Sequence, residues 1–278
     1  RRGATQGKAT EMPKIRANGI EIAYDRAGHG HHDDDVPMVL IHGFPYNRAM
    51  WDEQLGELTE EVDIITYDLR GHGESEATGG TYSMELLADD LKGLLDALGL
   101  EQVVVGGFSM GGYVALAFYK KYPESVQKLL LLDTRHQGDS EQAAQGREQL
   151  AQTVERDGVA GLADSLPARM LTVATVSNRP EIVAKARAMI LTASPQGVAG
   201  AARGMAVRAD QTDLLANINV KTLVLVGEED GITPPADAEQ MAATIPGAKL
   251  VKLAGAAHLS NMEEAHEFSE AIHDFMHD

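Results

Sequence analysis

One stretch constrains this chain more than any other: Gln102-Val-Val-Val-Gly-Gly-Phe-Ser-Met-Gly-Gly-Tyr-Val-Ala-Leu-Ala-Phe118. Val103, Val104 and Val105 read as a buried strand, and Tyr113 to Tyr122 reads as a helix that Pro123 ends. Between them Gly107, Ser109 and Gly111 fit the pattern G-x-S-x-G. In that pattern the chain turns sharply from strand to helix, holding a serine in strained backbone with its hydroxyl presented above the sheet. The flanking glycines let strand and helix approach without a Cβ clash.

The rest of the chain supplies a frame for such a turn. Lys14 to Asp25 alternates apolar and polar residues around Asn18-Gly19, a two-residue hairpin signal that opens a sheet with an antiparallel pair. From Val36 onward strands and helices alternate, with apolar runs at Val36–Ile41, Val62–Tyr67, Gln102–Val105, Val126–Leu132, Val220–Val226 and Lys249–Leu253. Runs apolar on both faces suit a parallel sheet covered by helices on each side. Ser83 is a helix cap, Met84, Leu87, Leu91, Leu94 and Leu98 share a face, and Gly99 ends that helix. The expected class is α/β, a mostly parallel doubly wound sheet whose ligands sit at the carboxyl ends of its strands.

The alternation stops after Leu132-Asp133-Thr134. Residues 136–217 carry only helix-like pieces, punctuated at Gly138, Pro167, Pro180, Pro195 and Asp210, with Pro180 and Pro195 placed as first helical residues. Their position, inserted after the sixth strand, predicts a helical lid over the strand ends, so residues 12–135 and 218–278 form the core and 136–217 the lid.

Composition narrows the function. At 278 residues the chain is long enough for one large domain with an inserted lid. No apolar run approaches the roughly 18 residues that span a membrane. Arg1 to Thr10 is basic without a following apolar run, so no secretory signal is read and a cytoplasmic location is expected. The formal net charge of −18 disfavours nucleic acid and anionic membranes as partners and says little about the substrate. A monomer or homodimer is expected. Cysteine is absent, which excludes disulfides, thiol catalysis and cysteine-bound metal. The segment Gly28-His-Gly-His-His-Asp-Asp-Asp35 offers metal ligands that nothing rigid holds; it is read as a solvated loop and given no function.

A serine hydroxyl needs a base and something to orient that base. Of the ten histidines, His29, His31 and His32 fall in the polar loop, and His266, His273 and His277 on a terminal helix, where a solvated face is expected. His258 follows the strand Lys249–Leu253 through a short loop and so sits at a carboxyl end. The orienting acid should lie at another strand end, which offers Glu228, Glu229 and Asp230 after one strand and Asp133 after an earlier one. An acyl-transfer site also needs donors for the oxyanion: the backbone N–H of Met110, after the serine, and that of Phe44, in the loop His42-Gly-Phe-Pro45. His42 is expected to organise that loop through hydrogen bonds.

His42-Gly-Phe-Pro, Asp68-Leu-Arg-Gly-His-Gly-Glu-Ser75, Gly107-Phe-Ser-Met-Gly-Gly112, Gly227-Glu-Glu-Asp230 and Gly255-Ala-Ala-His258 occur in an order and spacing that resembles the α/β-hydrolase superfamily. That resemblance covers nearly the whole chain from Ile15 and implies Ser109 as nucleophile, Asp230 as acid and His258 as base, with Arg70 and His72 in a bracing loop. Thr233-Pro-Pro-Ala-Asp-Ala-Glu-Gln-Met and the segment around His258 resemble small-lid esterases and 3-oxoadipate enol-lactonases. His42-Gly-Phe-Pro with Gly-Phe-Ser-Met-Gly also resembles cofactor-free perhydrolases.

The implied activity is serine hydrolysis of small carboxylic esters or lactones, with no metal and no cofactor. The alternatives are hydrolysis of C–C bonds in vinylogous diketones, perhydrolysis, and a ligand receptor that keeps the triad. Met170, Leu171, Met189 and Met205 are the expected pocket wall, with Phe44 and Met110 at its floor. Arg135, Arg169, Arg203 and Arg208, in or beside the lid, are expected to be surface charges, the alternative being that one of them binds a substrate carboxylate, as an enol-lactone would require.

Overall fold

The computed structural model describes residues 13–28 and 36–278. The loop bearing His29, His31 and His32, and the expected start of the core at Met12, lie outside the described residues. Eight strands form one sheet: β1 (Lys14–Ala17), β2 (Ile20–Ala27), β3 (Met38–Ile41), β4 (Ile64–Tyr67), β5 (Val103–Phe108), β6 (Val126–Leu132), β7 (Lys221–Gly227) and β8 (Lys249–Leu253). Their spatial order is β1-β2-β4-β3-β5-β6-β7-β8. β2 runs antiparallel to β1 and β4, and the remaining neighbours are parallel.

Local chemistry explains most of these elements. Asn18 and Gly19 take φ of 45° and 82°, the left-handed pair that a tight hairpin between β1 and β2 demands. Helices cover both faces of the parallel strands, so every residue of β3 and Leu129 to Leu132 of β6 are buried. The helix Met84–Leu98 starts where Ser83 Oγ accepts the Leu86 N–H and stops at Gly99, which adopts φ 71°.

Three boundaries differ from expectation. β3 begins at Met38, because Pro37 cannot donate to the ladder, although its carbonyl accepts from Val104 N–H. β4 begins at Ile64, because Val62 still closes a turn onto the Leu58 carbonyl. β5 runs on through Gly106 and Gly107, whose main chain pairs with β3 on one side and β6 on the other, to Phe108, which pairs with β6. The helix Met110–Lys121 therefore starts directly after Ser109.

Between β6 and β7 the described residues hold seven helices and no strand: Glu141–Asp157, Ala160–Ser165, Pro167–Met170, Val173–Asn178, Pro180–Thr192, Pro195–Ala206 and Thr212–Leu215. Pro180 and Pro195 open their helices, where a missing N–H costs nothing. This segment is tied to loops that leave the carboxyl ends of three strands. Asn47, after β3, donates to Thr192 Oγ1 at 2.9 Å. After β4, the Gly71 carbonyl accepts from Ser194 N–H at 3.2 Å and Tyr82 N–H donates to the Gly200 carbonyl at 2.9 Å. After β8, Leu259 N–H donates to the Met170 carbonyl at 3.1 Å. Among the described residues no helix is long and apolar enough to cross a membrane.

Candidate active site

Ser109 occupies a single-residue turn at φ 53°, ψ −114°, a conformation that side chains rarely adopt. Its surroundings hold it there. Ser109 N–H donates to the Leu132 carbonyl at 2.9 Å, and its own carbonyl accepts from Thr134 Oγ1 at 2.7 Å. The approach of strand and helix at this turn is close enough to require glycine. A Cβ at Gly107 would strike the Gly111 carbonyl, and one at Gly111 would strike the Ile41 carbonyl.

His258 meets Ser109 from the loop after β8. Its Nε2 lies 2.8 Å from Ser109 Oγ and its Nδ1 lies 2.7 Å from Asp230 Oδ2. A carboxylate can only accept, so Nδ1 carries the proton and the Nε2 lone pair faces the serine. The ring rests against Phe108, whose centroid is 5.6 Å away, and Phe108 is braced edge-on by Trp51.

Asp230 is held by three further donors: Ile232 N–H and Thr233 N–H to Oδ1 at 2.7 and 3.0 Å, and Thr233 Oγ1 to Oδ2 at 2.7 Å. Burial works to raise this carboxyl, but the electrostatic attraction of the adjacent His258 and the hydrogen bonds from His258 and Thr233 outweigh burial and hold it below its ordinary value.

The other acids are elsewhere occupied. Glu228 and Glu229 are exposed. Asp133 is fully buried, at φ 41°, but its carboxyl accepts from Gly227 N–H and from the Ser260 hydroxyl rather than from His258. Burial, with repulsion from Asp230 behind it, pushes the Asp133 carboxyl well above its ordinary value.

Phe44 and Met110 are both buried near the serine's turn, and among the described residues neither backbone N–H has a hydrogen-bond acceptor. His42 does organise its loop: Nε2 accepts the Leu69 N–H and Nδ1 donates to the Gly43 carbonyl, both at 2.9 Å. Burial depresses His42 to about 4, and burial with the neighbouring His42 depresses His72 to about 3, so both are neutral braces. Arg70 is also structural, forking onto Asp90 at 2.6 and 2.9 Å.

Met170, Leu171, Met189 and Met205 are all buried, contributed by different stretches of the inserted segment. Met170 and Leu171 adjoin the His258 loop through the Leu259 to Met170 bond. Met189 lies on the helix anchored to Asn47, and Met205 on the helix that lies against Tyr82.

Arg208 contradicts its reading as a surface charge. It is buried, bonded to Asp139 at 2.6 Å and stacked 4.1 Å from the Tyr113 ring. Arg203 forks between Glu148 and Glu155, Arg135 donates to the Ile232 carbonyl, and Arg169 is exposed.

Two residues escaped sequence reasoning. Thr233 steadies Asp230, and buried Glu263 accepts Ala257 N–H and Thr172 N–H, both at 2.7 Å, which joins the His258 loop to the inserted helices. Spacing gave no signal for either.

The family model described as alpha/beta hydrolase fold matches residues 36–265. The chain belongs to the α/β-hydrolase family. Other α/β-hydrolases align with it almost end to end. A thermophilic esterase from Thermogutta terrifontis superposes with TM-score 0.91 at 43% identity, covering 96% of this chain and 98% of that one. The enol-lactonase from Burkholderia xenovorans superposes with TM-score 0.89 at 29% identity, covering 96% and 100%. In sequence, 3-oxoadipate enol-lactonase 2 of Acinetobacter baylyi is 29% identical over 262 residues, 94% of this chain and 95% of its own length.

Proposed function

We propose that this α/β-hydrolase cleaves small carboxylic esters or lactones through an acyl-enzyme on Ser109. The observation that carries the reading is the unbroken line from Ser109 Oγ through the His258 ring to Asp230, with links of 2.8 and 2.7 Å. Names borne by well-covered relatives, an esterase and two enol-lactonases, support the substrate class.

In this reading Ser109 Oγ attacks the acyl carbon while His258 Nε2 takes its proton. The imidazolium so formed is stabilised by Asp230, which stays ionised. Charge on the tetrahedral oxygen is met by the free N–H groups of Phe44 and Met110. Collapse breaks the bond to the alkoxy oxygen, which leaves with the proton from His258; from a lactone it remains tethered as a hydroxyl. Water, deprotonated by His258, then attacks the acyl-serine; collapse breaks the acyl–Oγ bond, releases the acid and returns that proton from His258 to Ser109 Oγ. Every proton in this cycle moves between named atoms of the chain, water and substrate.

The helices between β6 and β7 act in this reading as a lid, with Met170, Leu171, Met189 and Met205 as its apolar lining. The deciding experiment pairs a serine-directed phosphonate with a panel of p-nitrophenyl esters and lactones. The phosphonate should label Ser109 alone, and Ser109→Ala should lose on the order of 10⁶ in turnover while keeping its fold. Ester and lactone hydrolysis undiminished in Ser109→Ala would refute the reading.

A further inference from the structure

The helix Ala265–His277 does not present its histidines to solvent alone. His266 Nδ1 is 3.3 Å from Glu57, and His273 and His277 gather at Glu61, in the turn after the helix Asp52–Leu58. His273 and His277 are four residues apart, so they share one helix face, with ring centroids 4.3 Å apart. Glu61 Oε2 lies 2.7 Å from His273 Nε2 and 3.5 Å from His277 Nε2. One ligand atom from each of the three residues falls within 4.8 Å of the others.

An ion pair accounts for His273, whose affinity for a proton is raised first by its hydrogen bond to Glu61. His277 is turned to the same carboxylate: its Nδ1, 2.8 Å from the His273 carbonyl, donates to that carbonyl and so orients the ring with Nε2 facing Glu61 Oε2. Two imidazoles at i and i+4 and one carboxylate thus bring three ligand atoms to one point.

We propose that Glu61, His273 and His277 bind a borderline divalent cation of the zinc(II) type, with water completing a tetrahedral shell. Two nitrogen donors and one oxygen suit zinc and its neighbours, whereas magnesium and calcium take oxygen ligands. On binding, the His273 Nε2 proton is displaced and the ring keeps a proton on Nδ1 instead, the side on which Asp274 lies 3.6 Å away.

The place of the site in the fold assigns it a structural role. Glu61 precedes β4, and the same end of the terminal helix is held by Lys128, from β6, which donates to the Phe275 and Met276 carbonyls. This is the amino edge of the strands, opposite the edge that carries Ser109. A cation there staples the last helix to the body of the fold without meeting the ester chemistry.

The test is zinc(II) titrated into the EDTA-stripped 278-residue protein, followed by calorimetry and thermal unfolding, with cobalt(II) as a visible-absorbing substitute. The wild type should bind one equivalent, unfold several degrees higher when saturated, and give the intense absorption of tetrahedral cobalt. His273→Gln and His277→Gln should each weaken zinc at least ~10-fold, since loss of an outer-shell partner alone costs that much. Both variants should unfold at the wild-type temperature when zinc is absent. A variant with His29, His31 and His32 all replaced by Gln should bind as the wild type does. The proposal fails if zinc does not bind stoichiometrically, if magnesium stabilises equally, or if affinity follows His29, His31 and His32 instead of the helix pair.

Discussion

Asp133 and Asp230 stand at the ends of neighbouring strands, yet only Asp230 touches His258. Asp230→Asn reverses the hydrogen-bonding sense at His258 Nδ1 and should lower kcat by ~10⁴. Asp133→Asn still offers an oxygen to Gly227 N–H and should leave kcat within about tenfold of wild type. Steady-state hydrolysis of p-nitrophenyl acetate by the two variants decides between them, and the reverse ranking would move the acid to β6. Thr233→Val removes a hydroxyl bond to a charged carboxylate, worth about 1.5–3 kcal/mol, and should reduce kcat/KM by roughly tenfold or more.

The residues alone left this choice of acid open, because both aspartates follow apolar strands. Ser109 and His258 were legible because each lies within a short stretch whose pattern carries the chemistry. Thr233 and Glu263 were not, since their partners are set by how distant loops meet.

At the scale of elements, the docking of the helix Pro195–Ala206 rests on glycine. A Cβ at Gly204 would strike the Tyr82 carbonyl, and one at Gly197 would strike Gly71. Gly204→Ala should therefore destabilise by about 1–3 kcal/mol through overpacking, and it should raise KM for esters as the helix is pushed off its seat. Gly146→Ala is the contrasting change: it lies exposed on the helix Glu141–Asp157 with nothing near its Cβ position, and should gain up to about 1 kcal/mol. Urea unfolding of both proteins checks the pair, and equal stability changes would show that the close approach is unimportant.

Pro180 and Pro195 mark the starts of two helices in the sequence, Pro180–Thr192 and Pro195–Ala206, but nothing there marks their docking. Small residues carry no hydrophobic signal, so a helix that binds through glycine looks featureless until its partner is in place. The same reason hid the last half of β5, where Gly106 and Gly107 pair on both sides despite their poor strand propensity.

At the scale of the whole molecule, buried histidines set the acid limit. His42 and His72 bind protons near 4 and 3 in the fold, against 6.5 when unfolded. Between those values the unfolded chain holds more protons, so stability should fall as pH drops from 6.5 towards 3, by up to about 1.4 kcal/mol per pH unit for each ring. Urea midpoints across that range should decline, and His72→Gln should flatten the lower part of the curve; an unchanged slope would exclude that ring.

Ester chain length tests the proposed lid. If the inserted helices cover the strand ends, with only 9% of the Ser109 surface exposed, kcat/KM should peak at short acyl chains and collapse beyond about eight carbons. A preference for emulsified long-chain triglyceride would show that the helices do not enclose a small pocket.

One bond gives the proposed lid a further property. Leu259, the residue after the proposed base, donates its N–H to the Met170 carbonyl, so the inserted helices and the His258 loop share a main-chain tether. In that reading, a swing of the Pro167–Met170 helix that admits substrate stretches the tether and tugs the imidazole away from Ser109, so an open door is also a disarmed one. The Leu259 amide should then exchange its hydrogen with solvent faster in the free protein than in one whose Ser109 carries a phosphonate, and equal rates would show that entry and chemistry are mechanically separate.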